Sequence, residues 1–181
     1  MKNIIHKYSG KSLLELRKKF GIGESGFYDN NWWLKESFAK EKAPKGIYEI
    51  NFEGKFGSKS WQEQEDLIPQ GWERGHEAII AEAVLTHYKK TGKRLLENCY
   101  HWGKSLDSFG LRVGVGYFDR DGLNVYFYWA DDSYDYLRVC LLRKFQKGNL
   151  KAGNFDYFES LESRVASLES DMAKLRKIIN L

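Results

Sequence analysis

Three stretches in the second half of the chain alternate apolar and polar residues with a period of two. Arg112–Phe118, Leu123–Trp129 and Tyr136–Phe145 each read as strands. Asp121-Gly122 supplies a tight turn between the first two, because glycine accepts the positive φ such a turn requires. A longer turn, Ala130–Asp135, joins the second pair. Lys93–Tyr100 and Gly46–Phe52 show the same alternation and read as two further strands. On Leu123–Trp129 the alternation sends Leu123, Val125, Phe127 and Trp129 to one face, expected to be core. It sends Asn124, Tyr126 and Tyr128 to the other.

Helical spacing dominates the first half. Ser12-Leu13-Leu14-Glu15 is a capping box, followed by Leu16 and Phe20 at helical intervals and closed by Gly21. Gly21 to Asn31 reads as loop, and Asn31–Ala39 as a short helix ending before Pro44. A second capping box, Ser60-Trp61-Gln62-Glu63, opens a helix that Pro69 terminates. His76–Lys90 is the clearest helix, with Ile79, Ile80, Ala83, Val84 and His87 on one stripe and Gly92 at its end. Strand, helix, helix and then four strands make an α+β arrangement with late antiparallel strands.

The last segment has a different period. Phe158, Val165, Met172 and Ile179 take the a positions of a heptad, and Leu161, Leu168 and Leu175 take d. So narrow a seam on a helix of this length is only marginal in water and needs partner helices. In a parallel pairing Arg164 meets Glu169 and Asp171 meets Arg176 on the next chain, both attractive. Arg164-Val165-Ala166-Ser167-Leu168-Glu169 resembles the signature of short trimeric coiled coils, so a homotrimer is expected ahead of a dimer. The competing reading folds this helix back onto its own domain. Residues 1–45 are then an N-terminal helical and loop segment, 46–147 the main domain and 155–181 the oligomerisation helix, after a hinge at Lys147–Asn154.

Composition narrows the chemistry. Six Trp, eleven Tyr and eleven Phe in 181 residues exceed core needs and point to a contact surface. Cys99 and Cys140 are too few for a disulfide scaffold or a four-thiolate zinc site and are expected as buried thiols on strands. No apolar run approaches a membrane span, and no secretory signal is evident, so a cytoplasmic location is the default expectation and membrane insertion is not expected. His76-Glu77 lacks the later histidine of a zinc protease, and Cys99 with His101 offers only two ligands. Gly114-Val115-Gly116 lies within a strand and opens no phosphate loop, and Asp119–Gly122 lacks the later ligands of a calcium loop. No metal, cofactor or catalytic residue is therefore expected, and no enzymatic activity.

Charge is unevenly placed. The chain is +4 overall, yet residues 117–136 carry five aspartates against Arg120, a poor surface for nucleic acid. The same segment holds Tyr117, Tyr126, Tyr128, Tyr134 and Tyr136. Tyrosine among small polar residues is paratope-like, offering contact area at low entropic cost.

The element order is similar to the C-type lectin fold. The run Arg112-Val113-Gly114-Val115-Gly116-Tyr117-Phe118-Asp119-Arg120-Asp121-Gly122-Leu123, closing at Leu141-Leu142-Arg143-Lys144-Phe145, resembles the variable proteins of diversity-generating retroelements. Those proteins carry ligand-binding positions on a lectin-like scaffold, where codons are rewritten by mutagenic reverse transcription. The resemblance implies that Tyr117, Asp119, Arg120, Asn124, Tyr126, Tyr128, Asp131, Asp132, Ser133, Tyr134, Asp135, Tyr136 and Arg138 contact a macromolecular ligand, expected to be a protein. The coil would display such a domain in several copies. The calcium-dependent sugar-binding tripeptides of ordinary C-type lectins are missing, so neither calcium nor sugar binding is implied. A structural subunit of a phage-fibre-like assembly is the alternative, and an enzyme of unknown class a more distant one.

Overall fold

The computed structural model describes residues 3–145 and Asp171. The oligomerisation seam, from Phe158 to Ile179, lies outside the described residues. What is described is a mixed α/β unit with seven strands and three α-helices. In chain order these are β1 (Ile4–Tyr8), α1 (Leu13–Phe20), β2 (Gly46–Lys55), α2 (Trp61–Asp66), β3 (Glu73–Arg74), α3 (Glu77–Thr91), β4 (Tyr100–Leu106), β5 (Arg112–Asp119), β6 (Gly122–Tyr128) and β7 (Leu137–Lys144). The strands form one sheet in the order β1-β2-β7-β4-β5-β6. Only β4 and β7 run parallel, and β3 pairs with β7 at Leu141 and Leu142, beyond the stretch of β7 that β4 covers.

Both capping boxes form. The Ser12 and Ser60 hydroxyls accept the amides of Glu15 and Glu63, whose carboxylates accept the serine amides in return. Asn31–Ala39 is not an α-helix. Leu34, Glu36 and Lys40 donate to carbonyls three residues back, which gives successive turns and a 3-10 turn at Phe38–Lys40. The buried Trp33, Phe38 and Ala39 dictate this path, since one α-helical stripe cannot bury all three against the sheet. Residues 93–99 are not a strand but a loop leading into β4, with the consecutive Leu95 and Leu96 both buried and Leu96 in the left-handed region at φ +61°. Cys99 therefore precedes a strand and is half-buried, whereas Cys140 is buried on β7; both are free thiols.

The main core lies between one face of the sheet and helices α1 and α3. Nine consecutive α3 residues, Glu77 to Leu85, are buried, so its polar positions need partners. Glu77 accepts the Ser105 amide at 2.7 Å and the Ser105 hydroxyl at 3.0 Å. A Cβ at Gly103 would fall 2.0 Å from the Glu77 carboxylate, so the glycine makes room for it. Glu82 accepts the Ser9 amide at 2.8 Å, the Ser9 hydroxyl at 2.7 Å and Lys19 Nζ at 2.9 Å, with His6 Nε2 at 3.6 Å. Burial alone would raise the Glu82 pKa; these donors overcome it and hold the group at about 2. One carboxylate thus ties α3 to α1 and to the end of β1. Residues before 46 are not a separate piece, because β1 pairs with β2 throughout and the chain through Lys144 forms one compact unit.

On the opposite sheet face α2 covers a smaller cluster of Tyr100, Trp102 and Leu137. The Trp61 indole lies between two guanidiniums, Arg112 at 3.7 Å and Arg74 at 4.3 Å from its centroid. Gln64 donates to the Leu137 carbonyl at 2.8 Å, locking α2 onto β7. Among the described residues no helix is long and apolar enough to cross a membrane.

Candidate functional site: a tyrosine-lined concavity

Strict alternation along β5 would send Tyr117 inward with Val113 and Val115. The chain does the reverse: Phe118 is buried and Tyr117 is 38 % exposed. A bulge explains it. Gly116 pairs with Asn124 and Asp119 with Gly122, so β5 spends one residue more than β6 over the same interval. Tyr117 is the residue that absorbs the slip, at φ +42°. Gly116 permits the close approach, since a Cβ there would fall 2.0 Å from the Cys99 carbonyl oxygen. The Tyr117 amide donates to that carbonyl at 3.0 Å and the Phe118 amide to Leu96 at 3.0 Å. A non-glycine residue in this region costs about 1–2 kcal/mol. The strain places an aromatic ring on the outer face.

Tyr100 of β4 is the hub beneath it. Its ring centroid lies 4.9 Å from Tyr117, 5.4 Å from Tyr128 and 6.1 Å from Tyr126. Its hydroxyl accepts Asn124 Nδ2 at 2.6 Å, and Asn124 Oδ1 accepts Asn30 Nδ2 at 2.7 Å. Tyr136 completes the enclosure, 6.0 Å from Tyr117 and 6.3 Å from Tyr128, with Tyr134 stacked on it at 5.1 Å. Burial, and then neighbouring phenols, raise the hydroxyl pKa of Tyr128 and of Tyr136. Burial raises that of Tyr100 too, against the hydrogen bond from Asn124. These phenols are neutral at physiological pH.

The rings, with Asp119, Asp121 and Asn124, surround a shallow concavity of about 470 Å³. Tyr28 closes one side. The segment around it, from Gly26 to Trp32, runs along the outer edge of β6: Leu123 donates to Gly26, Tyr28 donates to Leu123, and Trp32 Nε1 reaches the Val125 carbonyl at 3.1 Å. This occupies the Leu123 amide and carbonyl and the Val125 carbonyl on the edge of β6.

The loop between β6 and β7 is also held. Trp61 donates to Ala130 at 2.8 Å, Ser58 to Tyr134 at 3.1 Å and Tyr100 to Tyr136 at 2.8 Å. A Cβ at Gly57 would fall 2.4 Å from the Asp135 carbonyl oxygen, so this contact also needs glycine.

Of the expected ligand-facing residues, Tyr117, Asp119, Asn124, Tyr128 and Tyr136 line the concavity. Tyr126, 42 % exposed, adjoins it through Tyr100 and Tyr128. Arg120 is exposed at the hairpin tip, where the Asp119 carboxylate accepts the Asp121 amide. Asp131, Asp132, Ser133 and Asp135 lie along the loop with Tyr134, and Asp132 caps the turn by accepting the Trp129 amide at 2.9 Å. Arg138 does not join them. It lines a second concavity with Phe52, Glu53, Arg94 and Cys99, on the His101 side of the sheet. Trp129 is not core either: β6 ends at Tyr128, alternation lapses, and the indole stands 64 % exposed.

Sequence reasoning missed Tyr28, Tyr100 and Asp121. Tyr28 and Tyr100 arrive from distant segments that no local pattern connects to β5 and β6. Asp121 looked like turn chemistry alone.

His101, stacked on Phe52 at a centroid distance of 6.2 Å, is fully buried with neither ring nitrogen hydrogen-bonded. Burial, and then the Arg138 charge, push its pKa down to about 3. Among the described residues no group of three or more His, Cys, Asp or Glu side chains is placed to hold a metal ion. Comparison of this chain with protein-family models, with curated proteins and with solved structures finds no match in any of the three.

Proposed function

We propose that this protein is a non-enzymatic, receptor-like binder whose ligand docks on the tyrosine face. Its scaffold is C-type-lectin-like and its binding positions are diversified, as in the variable proteins it resembles. One observation carries the reading. Six tyrosines from three strands and a loop converge on one open face whose backbone is fixed on every side, while the strain at Tyr117 is tolerated to keep its ring outward. Rigid tyrosines on an anchored backbone give contact area without an ordering cost. The heptad seam at Phe158–Ile179 would display this face in a homotrimer, multiplying a weak contact by avidity.

A specific observation favours a second reading, a structural subunit of a fibre-like assembly. Phe109 is 84 % exposed in the β4–β5 turn, and Trp129 follows the end of β6 that pairs with the start of β5. Two large apolar side chains at one end of the sheet suit a subunit contact.

The DNA around the gene separates the two. A near-copy of codons 112–145 beside a reverse-transcriptase gene, differing at the codons of the tyrosine face, supports the diversified binder. Neighbouring virion genes with no such copy support the structural subunit.

A further inference from the structure

The proposal here rests on the tyrosine face being a ligand site, and it concerns the chemistry that site selects. We infer that the concavity is a cage for an organic cation, an ammonium or guanidinium group carried by the ligand.

Ring orientation is the first ground. Tyr100 and Tyr117 are inclined at 38°, Tyr100 and Tyr128 at 63°, and Tyr117 and Tyr136 at 83°. The four rings line one concavity, mutually inclined rather than in a parallel stack. A ring face turned to that concavity presents the negative part of the ring quadrupole, which attracts a cation. Burial keeps the hydroxyls of Tyr100, Tyr128 and Tyr136 protonated, so these rings are neutral and polarised.

Charge at the rim is the second ground. Asp119 and Asp121 line the opening, and no basic side chain lines it. One Asp119 oxygen accepts the Asp121 amide at 2.8 Å, which fixes the rim. Beyond the rim the loop adds Asp131, Asp132 and Asp135. The acidic face stands on a chain of net charge +4, so the local field opposes the overall one and draws cations to this face. An anionic ligand would meet the rim carboxylates, with Arg120 at the hairpin tip the one basic side chain in the segment 117–136 against five aspartates. A neutral ring ligand would find the tyrosines but no use for the charge.

Such a cation has two sources, a small quaternary ammonium or an arginine side chain on a protein. The test uses the full chain labelled with 3-fluorotyrosine, read by 19F NMR and titrated with two probe pairs. One pair is choline with its uncharged isostere 3,3-dimethylbutan-1-ol. The other is N-acetyl-arginine methylamide with the citrulline analogue. The cage predicts that at least one cation shifts the resonances of Tyr117 and Tyr128 at about ten-fold lower concentration than its neutral partner. The tighter pair identifies the source. Asp119→Asn with Asp121→Asn should close that gap, and both residues are exposed, with the asparagine at 119 still able to accept the 121 amide. Equal response to both members of each pair overturns the cage while leaving the face a ligand site. Silence from those tyrosines with all four probes also overturns the cage; the diversified-binder reading is then judged separately by its DNA test.

Discussion

Replacing Tyr117 by alanine and by glycine gives a pair of variants whose difference isolates the bulge. Both lose the phenol ring and its contacts with Tyr100 at 4.9 Å and Tyr136 at 6.0 Å, so the ring's contribution cancels between them. At φ +42° alanine keeps the cost of the left-handed region, roughly 1–2 kcal/mol, and glycine does not. Against that, glycine loses about 0.5–1 kcal/mol more chain entropy on folding. The balance favours Tyr117→Gly, centred on about 0.75 kcal/mol, which is about 1.5–3 °C in Tm for a chain of this length. At an ordinary strand position the order is reversed. Urea unfolding and thermal melts of the two full-length variants measure it directly. If Tyr117→Ala equals or exceeds Tyr117→Gly in stability, residue 117 is not held in the strained geometry, and the account of how its ring reaches the face fails.

Three further outcomes are expected. His101 has a pKa near 3 when folded against 6.5 for a free imidazole, so stability is full above about pH 6.5 and falls as the pH drops through that window. The loss amounts to about 2 kcal/mol by pH 5, and His101→Leu should flatten it in urea titrations run at several pH values. Glu82, at about 2 when folded against 4.5, contributes stability above about pH 4.5 that is lost as the pH falls toward 2. Glu82→Gln should therefore cost about 2–3 kcal/mol at pH 7 and remove that acid dependence below 4.5. Deleting residues 158–181 should leave a folded monomer by light scattering with much weaker apparent affinity for a multivalent surface; an unchanged oligomeric mass contradicts the coil.

Much of the fold follows from local chemistry. Two serine–glutamate pairs fix the starts of α1 and α2, Gly92 closes α3 in the left-handed region, and Asp121-Gly122 turns the β5–β6 hairpin. What escaped is non-local. The strand β1 buries His6 and Tyr8 by pairing with β2 some forty residues later, and the exposed Ile5 beside the buried His6 masks the alternation. Lys93–Tyr100 alternates like a strand, yet the carbonyls of Leu96 and Cys99 are taken by the bulged end of β5. The tyrosine face was partly legible, because Tyr126 and Tyr128 follow from the period of β6. Tyr117 sits outward only because a glycine before it admits a neighbouring carbonyl. Tyr100 and Tyr28 depend on the sheet order and on the edge of β6 being covered, neither of which a linear pattern encodes.

The central claim is that ligand meets the tyrosine face. The most direct measurement is the hydrogen-exchange footprint of the full chain with and without the tightest binder found in a panel of purified surface proteins. The account predicts slowed exchange in 117–136, with 26–30 and 99–102 following. A footprint confined to the α1 side, with those segments unchanged, would contradict it.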